Sequence, residues 1–160
     1  MFAFLQALDL SPIEWDDALK ETGEGAPHIG RVLEVAFSLA QAVIILLTGD
    51  DEARLLPRFQ ESGDPTYETD LTPQPRPNVL FEAGMAFGLH PSRTILVQIG
   101  RLRPFSDVSG RFVLQFRGTP ADRNRLKEWL KTAGCVPKET GDFWLSAGDF
   151  AAGMPSESKP

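Results

Sequence analysis

The chain has 160 residues, of which 42% are hydrophobic and 24% are charged, the composition of one ordinary globular domain. Its net charge of -6 and its pI near 4.9 argue against a nucleic-acid-binding surface, which requires clustered lysine and arginine. The strongest apolar run, residues 42–47, is too short to span a membrane, and residues 1–6 lack the basic leader of a secretory signal. We therefore expect a cytoplasmic protein.

Helical and strand-like patterns alternate along the chain, which predicts an α/β fold with a mainly parallel sheet. The predicted elements of the first half are a helix at residues 1–8, a short strand at 12–15, a polar loop at 16–26, a helix from Pro27 to residue 41 and a buried strand at 42–48.

The second half continues the same alternation. Its predicted elements are a short helix at 52–56, a long surface loop at 57–76, a helix at 78–88 behind Pro77, strands at 94–99 and 112–116, and an amphipathic helix at 121–132. Residues 151–160, which are rich in small and polar residues and proline, are expected to be a disordered tail. This leaves residues 1–150 as the domain.

The sequence does not contain the residues that several common kinds of active site require. His28 and His90 are too few and too far apart for a metal site or a Ser-His hydrolase, so no metal is predicted. Neither a P-loop nor a Gly-x-Gly-x-x-Gly turn is present, which excludes ATP hydrolysis of the P-loop kind. The single cysteine, Cys135, is expected to be a packed or idle thiol.

Glu82 is the residue that most needs an explanation. It stands in the middle of an otherwise apolar helix, and a helix that is apolar on every side is expected to be buried. Burial tends to raise the pKa of a glutamate toward the range useful in acid/base chemistry, whereas a structural role would require a partner such as a core arginine. Both interpretations, a catalytic carboxylate and a structural ion pair, fit the sequence.

Two residues at the end of the 42–48 strand are candidates for ligand binding. Ligands of open α/β sheets bind beyond the carboxyl ends of the strands, which places Thr48 and Asp50 beside any site. The simpler interpretation is that Asp50 or Asp51 caps the short helix predicted at 52–56, and the cap preferences of aspartate favour it.

Three further candidates are expected at the mouth of the pocket. Trp15 closes the predicted first strand, and Asn78 lies one helical turn before Glu82, where the positive end of the helix favours phosphate. Arg76 precedes the same helix and is either a phosphate ligand or a solvated loop charge.

Taken together, several segments resemble the bacterial TIR-like family of nucleotide-binding proteins. The similarity runs from about Phe2 to Phe150, and its most specific part is the R-x-N-V-x-F-E-x-G pattern. The segments that carry it are residues 12–15 (P-I-E-W), 27–30 (P-H-I-G) with 36–37 (A-F), 40–48 (A-Q-A-V-I-I-L-L-T), 76–84 (R-P-N-V-L-F-E-A-G) and 105–111 (F-S-D-V-S-G-R).

This resemblance implies a flavodoxin-like (TIR-like) three-layer fold. Through the NAD-cleaving TIR effectors of bacterial antiphage systems it also implies an NAD glycohydrolase, with NAD as a substrate, no separate cofactor, and a homo-oligomer on activation. Glu82 falls on the position of the family's catalytic glutamate. Family members usually begin with an apolar strand before the helix that here starts at Met1, so the first strand of the fold is expected to be missing.

Two alternatives to an NAD-cleaving enzyme remain. In the first alternative, the chain is a non-catalytic nucleotide-binding or TIR-type self-association module, in which Glu82 pairs with Arg76 or another arginine. The third hypothesis is an enzyme similar to the nucleoside deoxyribosyltransferases, which also use a glutamate beside a ribose but require a nucleobase acceptor.

Overall fold

The computed structural model describes residues 1–104 and 110–150. Within these residues the chain forms six α-helices, five β-strands and two short 3-10 turns at Pro57–Phe59 and Phe143–Leu145. The helices are α1 Phe2–Ala7, α2 Trp15–Glu21, α3 Ile29–Leu39, α4 Thr66–Thr69, α5 Pro77–Leu89 and α6 Pro120–Thr132. The strands are β1 Val43–Leu47, β2 Asp51–Ala53, β3 Thr72–Gln74, β4 Thr94–Gln98 and β5 Val113–Gln115.

Three strands form the main sheet, in the order β1-β4-β5, and both pairs are parallel. β1 pairs with β4 over its whole length, whereas β5 pairs with β4 only from Leu96 onward. β4 is therefore the central strand, and Ile95, Leu96 and Val97 are all buried. The predicted α/β fold with a mainly parallel sheet is confirmed. No strand in the described part of the chain pairs with the outer edge of β1.

Helices cover both faces of the sheet because successive side chains of β4 point to opposite sides. Ile95 and Val97 join a core formed with α1 and α6, which also contains Phe4 and Leu126. Leu96 joins a second core formed with α3 and α5. This is the three-layer arrangement expected of a flavodoxin-like fold. None of the helices in residues 1–104 and 110–150 is long and apolar enough to cross a membrane.

The short strand predicted at residues 12–15 and the polar loop predicted after it are wrong, because helix α2 begins at Trp15. Asp16 and Asp17 occupy its first turn, where acidic side chains interact favourably with the positive end of the helix. Ala18 is buried, and α2 packs against α3. The polar residues that suggest a loop therefore form the exposed face of a helix.

The short helix predicted at 52–56 is also wrong, and the long surface loop predicted at 57–76 contains the turn Pro57–Phe59, α4 and β3. β2 and β3 form a two-stranded antiparallel ribbon, with Asp51 opposite Gln74, and α4 lies between the two strands. Each strand has only three residues and no run of apolar side chains. The pairing partner, rather than the local pattern, determines these strands, which is why periodicity does not predict them.

Candidate functional site

Three of the candidate residues meet where β1 ends. The Thr48 hydroxyl donates a hydrogen bond of 3.0 Å to a carboxylate oxygen of Asp50, and the Arg76 Nε lies 3.9 Å from the same oxygen. Arg76 directly precedes α5, and its carbonyl accepts the backbone N–H groups of Val79 and Leu80. The predicted role of Asp50 as a helix cap is wrong, because β2 follows it. A hydroxyl, a carboxylate and an exposed cation thus lie together at the carboxyl edge of the sheet.

The β2–β3 ribbon packs against this edge at Gly49. A Cβ atom on Gly49 would lie 2.7 Å from the Cβ of Pro73 and 3.2 Å from the Cδ2 of Leu102, so a side chain there would force its neighbours apart. The Arg103 N–H donates to the Pro73 carbonyl at 2.7 Å, and the Arg103 guanidinium pairs with Glu68 of α4. Sequence analysis misses both Gly49 and Arg103. A glycine directly after a buried strand is the signal that marks the first.

Glu82 is half-buried on α5 and has no hydrogen bond or ion pair with any residue in the parts of the chain that the structure describes. The expectation of a helix buried on every side is wrong: the buried face carries Ala83 and Ala86, whereas Phe81 is 67% exposed. Glu82 therefore lies at the border between the packed and the exposed face. The proposed pairing with Arg76 is absent, since Arg76 instead approaches Asp50.

Asn78 lies in the element where the sequence predicts it, whereas Trp15 does not. Asn78 is exposed in the first turn of α5 and lies one helical turn before Glu82, as the spacing predicts. Trp15 is 49% exposed at the start of a helix, so it has no strand end to place it at the pocket mouth. Within the described ranges, no hydrogen bond, ion pair or ring contact joins Trp15 to Thr48, Asp50 or Arg76.

Two cavities lie elsewhere on the molecule. One, of about 580 Å³, is lined by Thr94, Arg111 and Trp129 among others, with the Arg111 guanidinium 3.9 Å above the centre of the Phe87 ring. The other, of about 520 Å³, follows the outer edge of β1. Neither cavity is lined by Glu82 or by any of the other candidate residues.

The structure accounts for Cys135 as a packed side chain. Its thiol is half-buried against the core formed with α1 and α6, and burial raises the pKa of the thiol. A raised pKa lowers the fraction of thiolate, which is the reactive form. No group of metal-ligating side chains is found among residues 1–104 and 110–150.

Comparison with known proteins identifies the family. Residues 1–118 match the model of the CAP12/Pycsar effector protein, TIR domain. Comparisons with curated proteins and with solved structures find no match. The matched residues include Arg76, Asn78, Glu82 and the whole of the three-stranded sheet. Because the match covers well over half of the chain, this protein belongs to the TIR-domain family of CAP12/Pycsar antiphage effectors.

Proposed function

We propose that this TIR module is an NAD glycohydrolase that cleaves the bond between nicotinamide and ribose, and that Glu82 is its catalytic residue. The observation that carries the proposal is the half-buried Glu82 carboxylate, which is left without a hydrogen-bond or ion-pair partner in the described parts of the chain. Fully buried carboxylates are almost always paired, and a half-buried one without a partner is available to a ligand. Family membership supports a catalytic role for Glu82, because the family consists of effector TIR domains.

The reaction suits a lone carboxylate. The bond between C1 of the ribose and the nicotinamide nitrogen breaks, and its electron pair leaves with the nicotinamide, which changes from a cationic ring to a neutral molecule. The ribose passes through an oxocarbenium-like state whose positive charge the Glu82 carboxylate stabilises while it orders the two ribose hydroxyls. A water oxygen then bonds to C1 and releases a proton. No strong general acid is required at the leaving group.

The groups at the start of α5 and the end of β1 would hold the rest of NAD. The pyrophosphate is anionic, and the exposed guanidinium of Arg76 lies at the start of α5, whose N-terminus also favours phosphate. Asn78 lies on the same side of α5 as Glu82, so it would contact the ribose. We assign Thr48 and Asp50 to the same substrate from their place at the end of β1. Trp15 stays a predicted substrate-binding residue.

A self-association module is the second candidate, and one observation favours it. Phe81, beside Glu82, is 67% exposed, and aromatic side chains of this kind are enriched at the centre of protein interfaces. We propose that contact through this face forms a homo-oligomer on activation. The two candidates are compatible, since a face that closes over Glu82 would also exclude water from the reaction.

The test is to incubate the purified protein with NAD over a range of protein concentrations and to measure free nicotinamide and ADP-ribose by chromatography. We expect release of nicotinamide that Glu82→Gln reduces by about a hundredfold or more. A folded protein that releases no nicotinamide at any concentration, including concentrations at which it oligomerises, contradicts the proposal and leaves the self-association module. In a parallel reaction with a free nucleobase, an exchanged nucleoside would instead identify a transferase.

A further inference from the structure

The cavity of about 580 Å³ lies at the amino end of the sheet, away from the edge that carries the candidate site. Thr94 is the first residue of β4, and residues 110–112 lead into β5. Both line the cavity, and the two strands run parallel, so they begin at the same edge of the sheet. We call this space the amino-end cavity. Its volume is within the range of pockets that bind small molecules.

The register of β5 explains why the cavity exists. β5 pairs with β4 only from Leu96 onward, so no described strand lies beside Thr94 and Ile95 on the side of β5. Ile95 and Leu96 point to opposite faces of the sheet, and both line the cavity. The space therefore reaches from one helical layer to the other. Phe87 of α5 borders it on one face of the sheet, and Trp129 of α6 borders it on the other.

Aromatic side chains form a large part of the walls. Phe87 and Trp129 are partly buried, whereas Phe112 is 90% exposed, which places it at the rim, where a ligand would cover it. Ile95 and Leu96 are buried and supply an aliphatic floor. Aromatic rings pack favourably against one another and bury a large apolar area in doing so. These walls suit a planar aromatic molecule.

Among the described residues that line the cavity, Arg111 alone carries a charge. Its guanidinium lies 3.9 Å from the centre of the Phe87 ring, a cation–π contact. It forms no hydrogen bond or ion pair with any residue of the ranges 1–104 and 110–150. The N–H groups of a guanidinium lie in its plane, so contact with a ring leaves them free to donate two parallel hydrogen bonds to a carboxylate.

We propose that the amino-end cavity binds a small aromatic carboxylate, whose ring packs among the aromatic walls and whose carboxylate pairs with Arg111. One guanidinium matches one negative charge, and the net charge of -6 of the chain disfavours a ligand with several. A cationic ligand would be repelled by Arg111, and an aliphatic ligand would lose the contacts between rings. The site is separate from the proposed NAD site, since none of the candidate residues lines it.

The probe is 2-naphthoate, and two comparison compounds each remove one of its features. The amide of the same acid, 2-naphthamide, keeps the rings and loses the charge, whereas the fully hydrogenated acid keeps the charge and loses the aromatic rings. We expect 2-naphthoate to bind with a dissociation constant of about 1 mM or below, and the other two compounds to bind at least about fivefold more weakly. Equal binding of all three, or no binding of 2-naphthoate to the folded protein, would overturn the proposal.

The three tryptophans of the chain locate the binding. Trp129 lines the cavity, whereas Trp15 and Trp144 do not. In NMR spectra, bound 2-naphthoate should therefore shift the indole N–H signal of Trp129 and leave the signals of Trp15 and Trp144 in place. Equal shifts of all three signals, or a shift that spares Trp129, would contradict binding in the amino-end cavity.

A matched pair of variants tests the role of the charge. Arg111 and Arg117 are both exposed, and neither side chain has an ion pair within the described ranges, but only Arg111 lines the cavity. We expect Arg111→Met to raise the dissociation constant of 2-naphthoate by about tenfold and to change that of 2-naphthamide by less than about twofold. Arg117→Met should change neither constant by more than about twofold.

Equal effects of the two substitutions, or equal effects of Arg111→Met on the acid and the amide, would overturn the assignment of the carboxylate to Arg111. The binding is measured directly, so its outcome does not depend on whether the protein cleaves NAD.

Discussion

Two charged side chains on helices that cover opposite faces of the sheet differ in their hydrogen bonds. Arg123, on α6, is 3% exposed and donates to the carbonyls of Gly118 at 2.9 Å, Trp144 at 3.3 Å and Gly148 at 3.1 Å, and to that of Ala147. Glu82, on α5, is half-buried and has no partner in the described parts of the chain. A charge whose hydrogen bonds are all made within the fold is a structural element, whereas one without partners is available to a ligand.

Arg123 shows how much of its surroundings one cation can organise. Its guanidinium also lies 4.8 Å from the centre of the Phe150 ring and 5.5 Å from that of Phe4. Burial lowers the pKa of this guanidinium, and the four carbonyls compensate for the lost hydration. Arg123 thereby fastens the last described residues to α6 and α1. No comparable set of contacts surrounds Glu82, so its substitution should affect the fold very differently.

The largest effect on stability is expected from Arg123→Met. The substitution leaves four carbonyls without their donor in a site closed to water, and we expect a loss of about 2–4 kcal/mol in the free energy of unfolding, measured in urea. Arg125→Met is the matched control, because Arg125 is exposed on the same helix and should lose less than about 0.5 kcal/mol. An equal loss of unfolding free energy in the two variants would show that the buried hydrogen bonds of Arg123 contribute no more to stability than the exposed side chain of Arg125.

A smaller effect is expected at the candidate site from Arg76→Ala. The guanidinium is 66% exposed and only 3.9 Å from Asp50, so its loss should leave the fold intact. If it binds the pyrophosphate of NAD, the Michaelis constant should rise by about fivefold to tenfold with little change in kcat. Arg58→Ala, at an exposed arginine in the 3-10 turn Pro57–Phe59, is the control. An unchanged Michaelis constant would remove Arg76 from the site.

The smallest effect on stability is expected from the ion pair between Lys127 and Glu139. Lys127 is buried over the ring of Trp144 and lies 2.8 Å from the Glu139 carboxylate. Its hydrogen bond lowers the pKa of Glu139 below the ordinary value of 4.5. A carboxyl whose pKa is lower in the folded state stabilises the fold above its unfolded pKa, and this contribution is lost as the pH falls through the folded pKa.

Glu139→Gln should therefore be slightly less stable than the wild type at pH 7, and the difference should shrink as the pH falls below about 4.5. Thermal unfolding of both proteins at several pH values measures it. A difference that stays the same at pH 7 and pH 3 would mean that the pair with Lys127 contributes nothing through the charge of Glu139.

The sequence predicts the elements with long apolar runs better than the elements with few apolar residues. Strands β1 and β4 and helix α5 are encoded by local runs of apolar residues between breakers such as Pro77 and Gly49, so periodicity finds them. The ribbon of β2 and β3 depends on pairing across more than fifteen residues, which no local pattern records. Helix α2 is missed because its buried face is reduced to Ala18.

The candidate site follows the same division. The motif around Glu82 predicts a helix with Asn78 one turn before Glu82 and Arg76 ahead of it, and α5 has this course, while the roles of these residues stay predictions. The absence of a partner for Glu82 depends on where Arg76 points, and Arg76 approaches Asp50 because of the folded course of the chain after β1. The burial of Arg123 is likewise invisible in the sequence, since its carbonyl partners come from residues 118 and 144–148. Local patterns predict positions along an element, but not which charges find partners.

The most direct test of the account measures activity and stability together for Glu82→Gln. Because Glu82 has no partner to lose in the described parts of the chain, the substitution should change the free energy of unfolding by less than about 0.5 kcal/mol while lowering NAD turnover by about a hundredfold or more. Glu34→Gln on α3 removes an exposed carboxylate paired with Arg31 and should change neither quantity appreciably. A Glu82→Gln variant that keeps wild-type turnover, or that loses activity only through unfolding, would contradict the central claim that Glu82 is left unpaired for catalysis.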